Sequence, residues 1–322
     1  MKTLSADKWS QYWQKGTITT FHKKFENNYD GSIKKHWDDE FSRLSTDAQV
    51  IDLATGNGAL LGLLNQYASS EQYRIAATGV DFADLHAEFF EDFSALELTL
   101  KQRTAIEQTD LPDNHYDLAI SQYGFEYADC IAAVDELSRI CKPQCRISFI
   151  MHNQESQIVR EGFQSLEQIE LVNKNLGLPE LIKNMVEAID KYQRQKNEKS
   201  KRRADKYRDK LNNAIMKLRE AASQYDDPSY LQFFHDNALA VFNPAMSGNM
   251  SVKEKLQVLR NVDKETRSLI GRMEDLTSVA MSDEKNTLLI NQLKNHKFSH
   301  INVEQLQYNG FHIGQLLTAE RN

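Results

Sequence analysis

Val50-Ile51-Asp52-Leu53-Ala54-Thr55-Gly56-Asn57-Gly58-Ala59 runs from an apolar strand through a turn of small residues and straight into a helical pattern. Small side chains in such a turn let a ligand reach the backbone and let helix and strand pack closely. The helix start presents free N–H groups and a positive dipole end, which suits a carboxylate or phosphate. A glycine turn alone is also an ordinary strand–helix connection. Two acids make this one more specific. Asp52 precedes the turn, and Asp81 ends the next apolar run in Thr78-Gly79-Val80-Asp81-Phe82-Ala83.

Outward from this stretch, short apolar runs at 49–53, 74–80, 96–104, 116–121 and 146–151 read as strands. Helical spacing fills 59–67, 83–93 and 130–141, and Pro143 stands where the last of these helices should stop. Strands alternating with helices predict right-handed crossovers and a parallel sheet covered on both faces. From 156 to 294 strand character disappears. Leu181, Ile182, Met185, Val186 and Ile189 form one apolar stripe, and Leu211, Ile215, Leu218 and Ala222 form another. The last 25 or so residues turn strand-like again around Asn309-Gly310, a hairpin signal.

The chain has 322 residues, 40% hydrophobic and 26% charged, as an ordinary globular protein does. No run reaches the roughly 18–20 apolar residues of a membrane span, the N-terminus shows no apolar signal core, and there are three cysteines. These features predict a cytoplasmic protein without a disulfide framework. Between Lys191 and Arg219 stand 12 Lys/Arg against 3 Asp/Glu, in a chain of net charge −7. A single basic stretch on an otherwise acidic chain argues against a general nucleic-acid binder. The basic run 191–210 is either a solvated helix or a mobile segment, with a local patch on offer to an acidic partner.

At Asp52-Leu-Ala-Thr-Gly-Asn-Gly the sequence resembles the class I S-adenosylmethionine-dependent methyltransferases, and among them the group containing the ubiquinone and menaquinone biosynthesis enzymes. Ala54 stands where that motif has its first glycine. The stretch 111–129, LPDNHYDLAISQYGFEYAD, and Glu136-Leu-Ser-Arg-Ile-Cys-Lys-Pro-Gln-Cys-Arg are similar to two further motifs of the group, with Gln144-Cys145 in place of a glycine pair. The resemblance covers roughly residues 45–155. It implies an α/β, Rossmann-like, doubly wound and mostly parallel seven-stranded sheet with an antiparallel C-terminal hairpin, plus a large helical insertion. It also implies S-adenosylmethionine as cofactor, with the turn Ala54, Thr55, Gly56, Asn57 and Gly58 against its methionine part and Asp52 near the amino group. Asp81 would hold the ribose hydroxyls, and Phe82 would flank the adenine. Ala105 and Ile106 fall where the group has an Asp-Ala pair at the adenine, and Gln122 ends the fourth strand beside it. The spacing A-x-G-x-G and an acid that would repel a pyrophosphate argue against a dinucleotide-binding domain.

The expected organisation is an N-terminal lid at 1–34, a core at 35–155 and 295–322, and an insertion at 156–294 that caps the substrate or forms an interface. Methyl transfer asks mainly for in-line positioning, with a base where the nucleophile carries a proton to be lost. Residues after strands four and five are the acceptor-side candidates, namely Gln122, Tyr123, Phe125, Glu126 and Tyr127, then His152, Asn153 and Ser156. His152 can titrate near neutrality and is the candidate base, with Tyr123 as a second candidate or a wall residue. The alternative for His152 is a histidine that hydrogen-bonds backbone at a strand end. Trp9, Tyr12, Trp13 and Phe21 make the N-terminus aromatic, as a lid over the cofactor or as a staple to the core.

Absent motifs narrow the acceptor. Ser-Gln-Tyr-Gly follows the fourth strand, not the Asn/Asp-Pro-Pro motif of enzymes methylating amino groups of DNA or glutamine. No Pro-Cys pair suggests cytosine-C5 chemistry, and Cys141 with Cys145 lacks the further ligands of a zinc site. Three readings follow: methylation of O or N on a small molecule; methylation of a protein side chain recruited through the basic insertion; or a non-catalytic binding protein on the same fold. A homodimer is compatible with each.

Overall fold

The computed structural model describes residues 6–14, 16–19 and 28–322. Seven strands form one sheet: β1 (Gln49–Leu53), β2 (Ile75–Val80), β3 (Leu96–Lys101), β4 (Tyr116–Gln122), β5 (Cys141–Met151), β6 (Phe298–Tyr308) and β7 (Phe311–Arg321). Their order is β3-β2-β1-β4-β5-β7-β6. Parallel pairing joins β1 to β2 and β4, β2 to β3, and β4 to β5. β7 enters antiparallel between β5 and β6. The hairpin turns at Asn309 (φ 49°) and Gly310 (φ 81°), the two positive values a two-residue turn of this kind needs. This is the doubly wound α/β sheet with a C-terminal hairpin that the sequence predicts. Its order reverses between β1 and β4, and there a crevice opens at the carboxyl ends of the strands.

The helices are α1 (Ala6–Trp13), α2 (Gly31–Phe41), α3 (Ala59–Glu71), α4 (Cys130–Ile140), α5 (Gln157–Glu170), α6 (Leu178–Gln195), α7 (Glu198–Ala222), α8 (Ser229–Ala238), the single turn α9 (Pro244–Ser247), α10 (Val252–Val279) and α11 (Asp283–Asn295). The chain divides into two compact units, 1–160 with 275–322 and 161–274. α11, expected inside the insertion, belongs instead to the sheet unit. Its Leu289 and Leu293 bury with Ala133, Val134 and Leu137 of α4. The second unit has its own core, in which Ile182 and Val186 of α6 meet Leu211 and Leu218 of α7 and Leu231 and Phe234 of α8. The basic run 191–210 begins in the last turns of α6, breaks at Lys196 and continues along α7, which is capped by Asn197. Arg202 pairs with Glu198 and Arg208 with Asp205 along its surface.

Three local expectations differ from the structure. The helix expected at 83–93 is only a 3-10 turn, Ala87–Phe90. The reason is visible in the backbone donors. The N–H of Ala83 goes to Asp81 (2.7 Å), that of Asp84 to Ser10 (2.9 Å), that of Leu85 to Gln102 (2.8 Å) and that of His86 to Asn57 (3.2 Å). These bonds hold the stretch in a non-helical path, with His86 extended (φ −92°, ψ 104°), and only the short turn follows. β5 begins at Cys141, not near 146, because its pairing with β4 slips between Tyr116 and Leu118, and Gln144 adopts φ 68° there without a glycine. α2 straddles the expected lid boundary at 34. Its Ile33, Trp37 and Phe41 are buried, and Ser32 and Tyr308 tie it to the hairpin through Gln307 and Asp30. Residues 1–5, 15 and 20–27 of the expected lid, Phe21 among them, lie outside the described residues.

Candidate active site

β1 delivers Asp52 to the bottom of the crevice, where it is 1% exposed and accepts a hydrogen bond from Thr55 Oγ1 (2.6 Å). Burial pushes its carboxyl up to about 8. Asp81 follows β2 and accepts from the Gly56 and Ala83 N–H groups, each at 2.7 Å. Burial outweighs those bonds and lifts it to about 6. The turn between them is shaped by close approach. A Cβ at Gly56 (φ 54°) would stand 2.6 Å from the Trp13 ring, and one at Gly58 (φ 79°) 2.5 Å from Phe90. Ala54, at the place of a family glycine, keeps the left-handed backbone (φ 56°) despite its methyl group. Across from it stands Gly124, whose own Cβ would lie 2.4 Å from that methyl. Ser121 stitches the ends of β1 and β4, donating to the Leu53 carbonyl (2.7 Å) and accepting from the Phe125 N–H (3.1 Å).

One cavity of about 550 Å³ opens beside this turn in the sheet unit. Asp52, Ala54, Thr55 and Asp81 form its bottom, while Phe82, Ala105 and Ile106 form the wall beyond β2 and β3. Gln122 also faces it. Trp37, fully buried on α2, donates to the Gln122 Oε1 (2.6 Å), and the amide nitrogen of Gln122 has no partner among the described residues. That buried donor suits a ligand with an acceptor oxygen. Gly56, Asn57 and Gly58 are not among the lining residues. Asn57 instead donates to the Trp13 (3.0 Å) and Thr17 (2.8 Å) carbonyls and so holds the N-terminal segment in place.

The acceptor-side candidates divide. Tyr123 (φ 55°) and Tyr127 line the cavity, joined by Trp9, Trp13 and Tyr29. His152, Asn153 and Ser156 do not. His152 is 2% exposed and stacks on Tyr123 with centroids 4.5 Å apart. Burial alone drives its imidazole down to about 3. Its N–H donates to Glu126 (2.7 Å) and its carbonyl accepts from the Met281 N–H (2.8 Å). His152 thus stands behind Tyr123 and outside the cavity lining, with its backbone N–H and carbonyl bonded to Glu126 and Met281. Phe125 and Glu126 are buried beneath the cavity wall.

Residues 51–149 match the family model described as a methyltransferase domain. Over that stretch the chain is similar to a methyltransferase domain. The match runs from β1 through most of β5 and so takes in both acids and the loop after β4. Among curated proteins none matches the chain. Solved structures resemble it more distantly. A SAM-dependent methyltransferase from Aquifex aeolicus is 17% identical over 48% of this chain and 76% of its own, with a TM-score of 0.37. A geranyl diphosphate C-methyltransferase from Streptomyces coelicolor is 12% identical over 46% and 66%, at 0.34. The CMeT domain of the citrinin polyketide synthase is 6% identical over 90% and 51%, at 0.44. The chain spans 54%, 65% and 48% of the lengths of three other matched structures.

Sequence reasoning missed Trp37, which fixes Gln122, and Glu107 and Asp129 at the cavity rim. Trp37 carried a signal in the four-residue spacing of Ile33, Trp37 and Phe41, one face of a helix. The rim acids carried none. Among the described residues no group of His, Cys, Asp and Glu is arranged to hold a metal, and no helix is long and apolar enough to cross a membrane.

Proposed function

We propose that the chain is an S-adenosylmethionine-dependent methyltransferase that transfers a methyl group to oxygen or nitrogen of a small molecule. The observation that carries this reading is the convergence of Asp52, Ala54, Thr55 and Asp81 on one cavity. When bound, S-adenosylmethionine supplies a methyl group on a positively charged sulfur. Asp81 would accept from the ribose hydroxyls, and Phe82, Ala105 and Ile106 would border the adenine. Asp52 would lie towards the amino group, and the Gln122 amide would donate to an oxygen of the same ligand. The cavity has no Lys, Arg or His among its described lining residues, which suits a cationic ligand and disfavours a pyrophosphate.

The test is calorimetric titration with S-adenosylhomocysteine and, separately, NAD. Binding of the first and not the second is expected, with Asp81→Asn weakening it about 10- to 100-fold through loss of a charged hydrogen-bond acceptor. Asp113→Asn, on the surface away from the cavity, serves as the control. Unchanged affinity in Asp81→Asn would remove Asp81 from the site.

A further inference from the structure

Resting on that reading, we propose that the acceptor is a small amine, methylated on nitrogen, held against the aromatic wall formed by Trp9, Tyr29, Tyr123 and Tyr127. The first reason is the wall itself. Trp9 meets Tyr127 edge-on with centroids 5.5 Å apart and stacks on Trp13 at 6.2 Å. Aromatic faces attract a cation once water is excluded. The second is charge. Every ionisable carboxylate or ammonium-type side chain among the described lining residues is an acid, namely Asp52, Asp81, Glu107 and Asp129. Behind Tyr123 and Tyr127 lies Glu126, 4% exposed, with one carboxyl oxygen bonded to the His152 N–H and the other without a partner among the described residues. An anionic acceptor would meet no cationic side chain among the described lining residues, and an amine needs none.

The third reason is that the two rim acids among the described lining residues are already engaged. Glu107 accepts from the Asp129 N–H (2.7 Å), and Asp129 caps α4 through Ile131 (3.1 Å) and Ala132 (3.3 Å). Both acids are engaged at the rim. Burial raises the phenols of Tyr123 and Tyr127 well above their ordinary value, so neither is a phenolate. An alcohol must shed its proton as it attacks, which calls for a base. A free amine need not. Its lone pair forms the N–CH3 bond as the S–CH3 bond breaks, the electron pair staying on sulfur as a neutral thioether. The product ammonium then releases its proton to water. Aromatic faces favour that ammonium as it forms.

Two measurements test this, the first of them independent of the cofactor reading. Tetramethylammonium chloride, titrated against sodium chloride at equal ionic strength, should quench tryptophan fluorescence saturably. Tyr127→Leu should weaken the effect about tenfold and Tyr127→Phe should retain it, since the ring face and not the hydroxyl holds the cation. In parallel, release of S-adenosylhomocysteine from S-adenosylmethionine is followed with primary and secondary amines, phenols and carboxylic acids. Turnover confined to amines is the expected result. Turnover of phenols or carboxylic acids alone, or no saturable quenching, overturns the amine assignment while leaving cofactor binding intact. Failure to bind S-adenosylhomocysteine at all would instead sink the methyltransferase reading.

Discussion

Ala54 holds a backbone conformation that an alanine disfavours by about 1–2 kcal/mol, with its methyl group turned towards Gly124. Gly124 has φ −140°, which any residue can adopt, so the methyl of Ala54 is what forces a glycine there. Ala54→Gly should therefore raise stability by about 1 kcal/mol in urea denaturation. Gly124→Ala should lower it by about 2 kcal/mol or more through overpacking. The double variant should recover most of that loss, because the next atoms near a Cβ at 124, Ser121 Oγ and Ala54 O, stand 3.3 and 3.4 Å away. Additive effects in this cycle would show that the two positions do not compete for the same space.

Between elements, the attachment of α1 rests on two unequal contacts. Arg103 bridges Asp7 and Asp84 on the surface, and exposed ion pairs of this kind contribute about 0–1 kcal/mol. Asn57 is fully buried and makes three hydrogen bonds to the backbone at Trp13, Thr17 and His86. Removing it leaves buried groups unsatisfied at about 1–3 kcal/mol each. Hydrogen exchange of the amides in Ala6–Trp13 should speed up markedly in Asn57→Ala and little in Arg103→Ala. Equal acceleration would make the surface pair the true anchor. Asn57 also shows where the sequence was legible and where it was not. Its place in the turn was plain from Asp52-Leu-Ala-Thr-Gly-Asn-Gly, as were the five parallel strands and the Asn309-Gly310 hairpin, because periodicity and turn chemistry are local. That its carboxamide serves the N-terminal segment depends on a contact across more than forty positions, which no local pattern encodes. The 83–93 segment failed for the same reason. Its apolar spacing suits a helix, but acceptors from α1, the turn after β1 and the ends of β2 and β3 claim its backbone N–H groups. His152 has the composition of a base and the burial of a core residue, and only packing distinguishes them.

For the whole molecule, the acids under the cavity make stability depend on pH in a defined direction. Burial raises Asp52 and Glu126 to about 8 and Asp81 to about 6. The folded chain thus keeps protons that the unfolded chain has lost above about pH 4, and its stability falls as pH rises through this range. His152, lowered to about 3, works the other way only below about pH 6.5, where the unfolded imidazole gains a proton. Above that point the acids act alone. Each retained proton is worth about 1.4 kcal/mol per pH unit, so the ligand-free protein should melt at a higher temperature at pH 6.5 than at pH 8. A melting temperature that rises over this interval would mean that Asp52 and Glu126 are already ionised in the fold.

β7 sits between β5 and β6, although 159 positions separate Met151 from Phe311. On a ribosome adding about 5–20 residues per second, the outer edge of β5 waits roughly 8–30 seconds for its partner. In that interval Arg146 to Met151 present unpaired backbone groups in a largely apolar stretch, open to pairing with another nascent chain. The whole of the 161–274 unit is synthesised during the wait, and its separate core gives it the means to compact before the sheet closes. Synthesis at high density of translating ribosomes, or with slow codons placed after β5, is thus the condition under which this protein would be lost to aggregation.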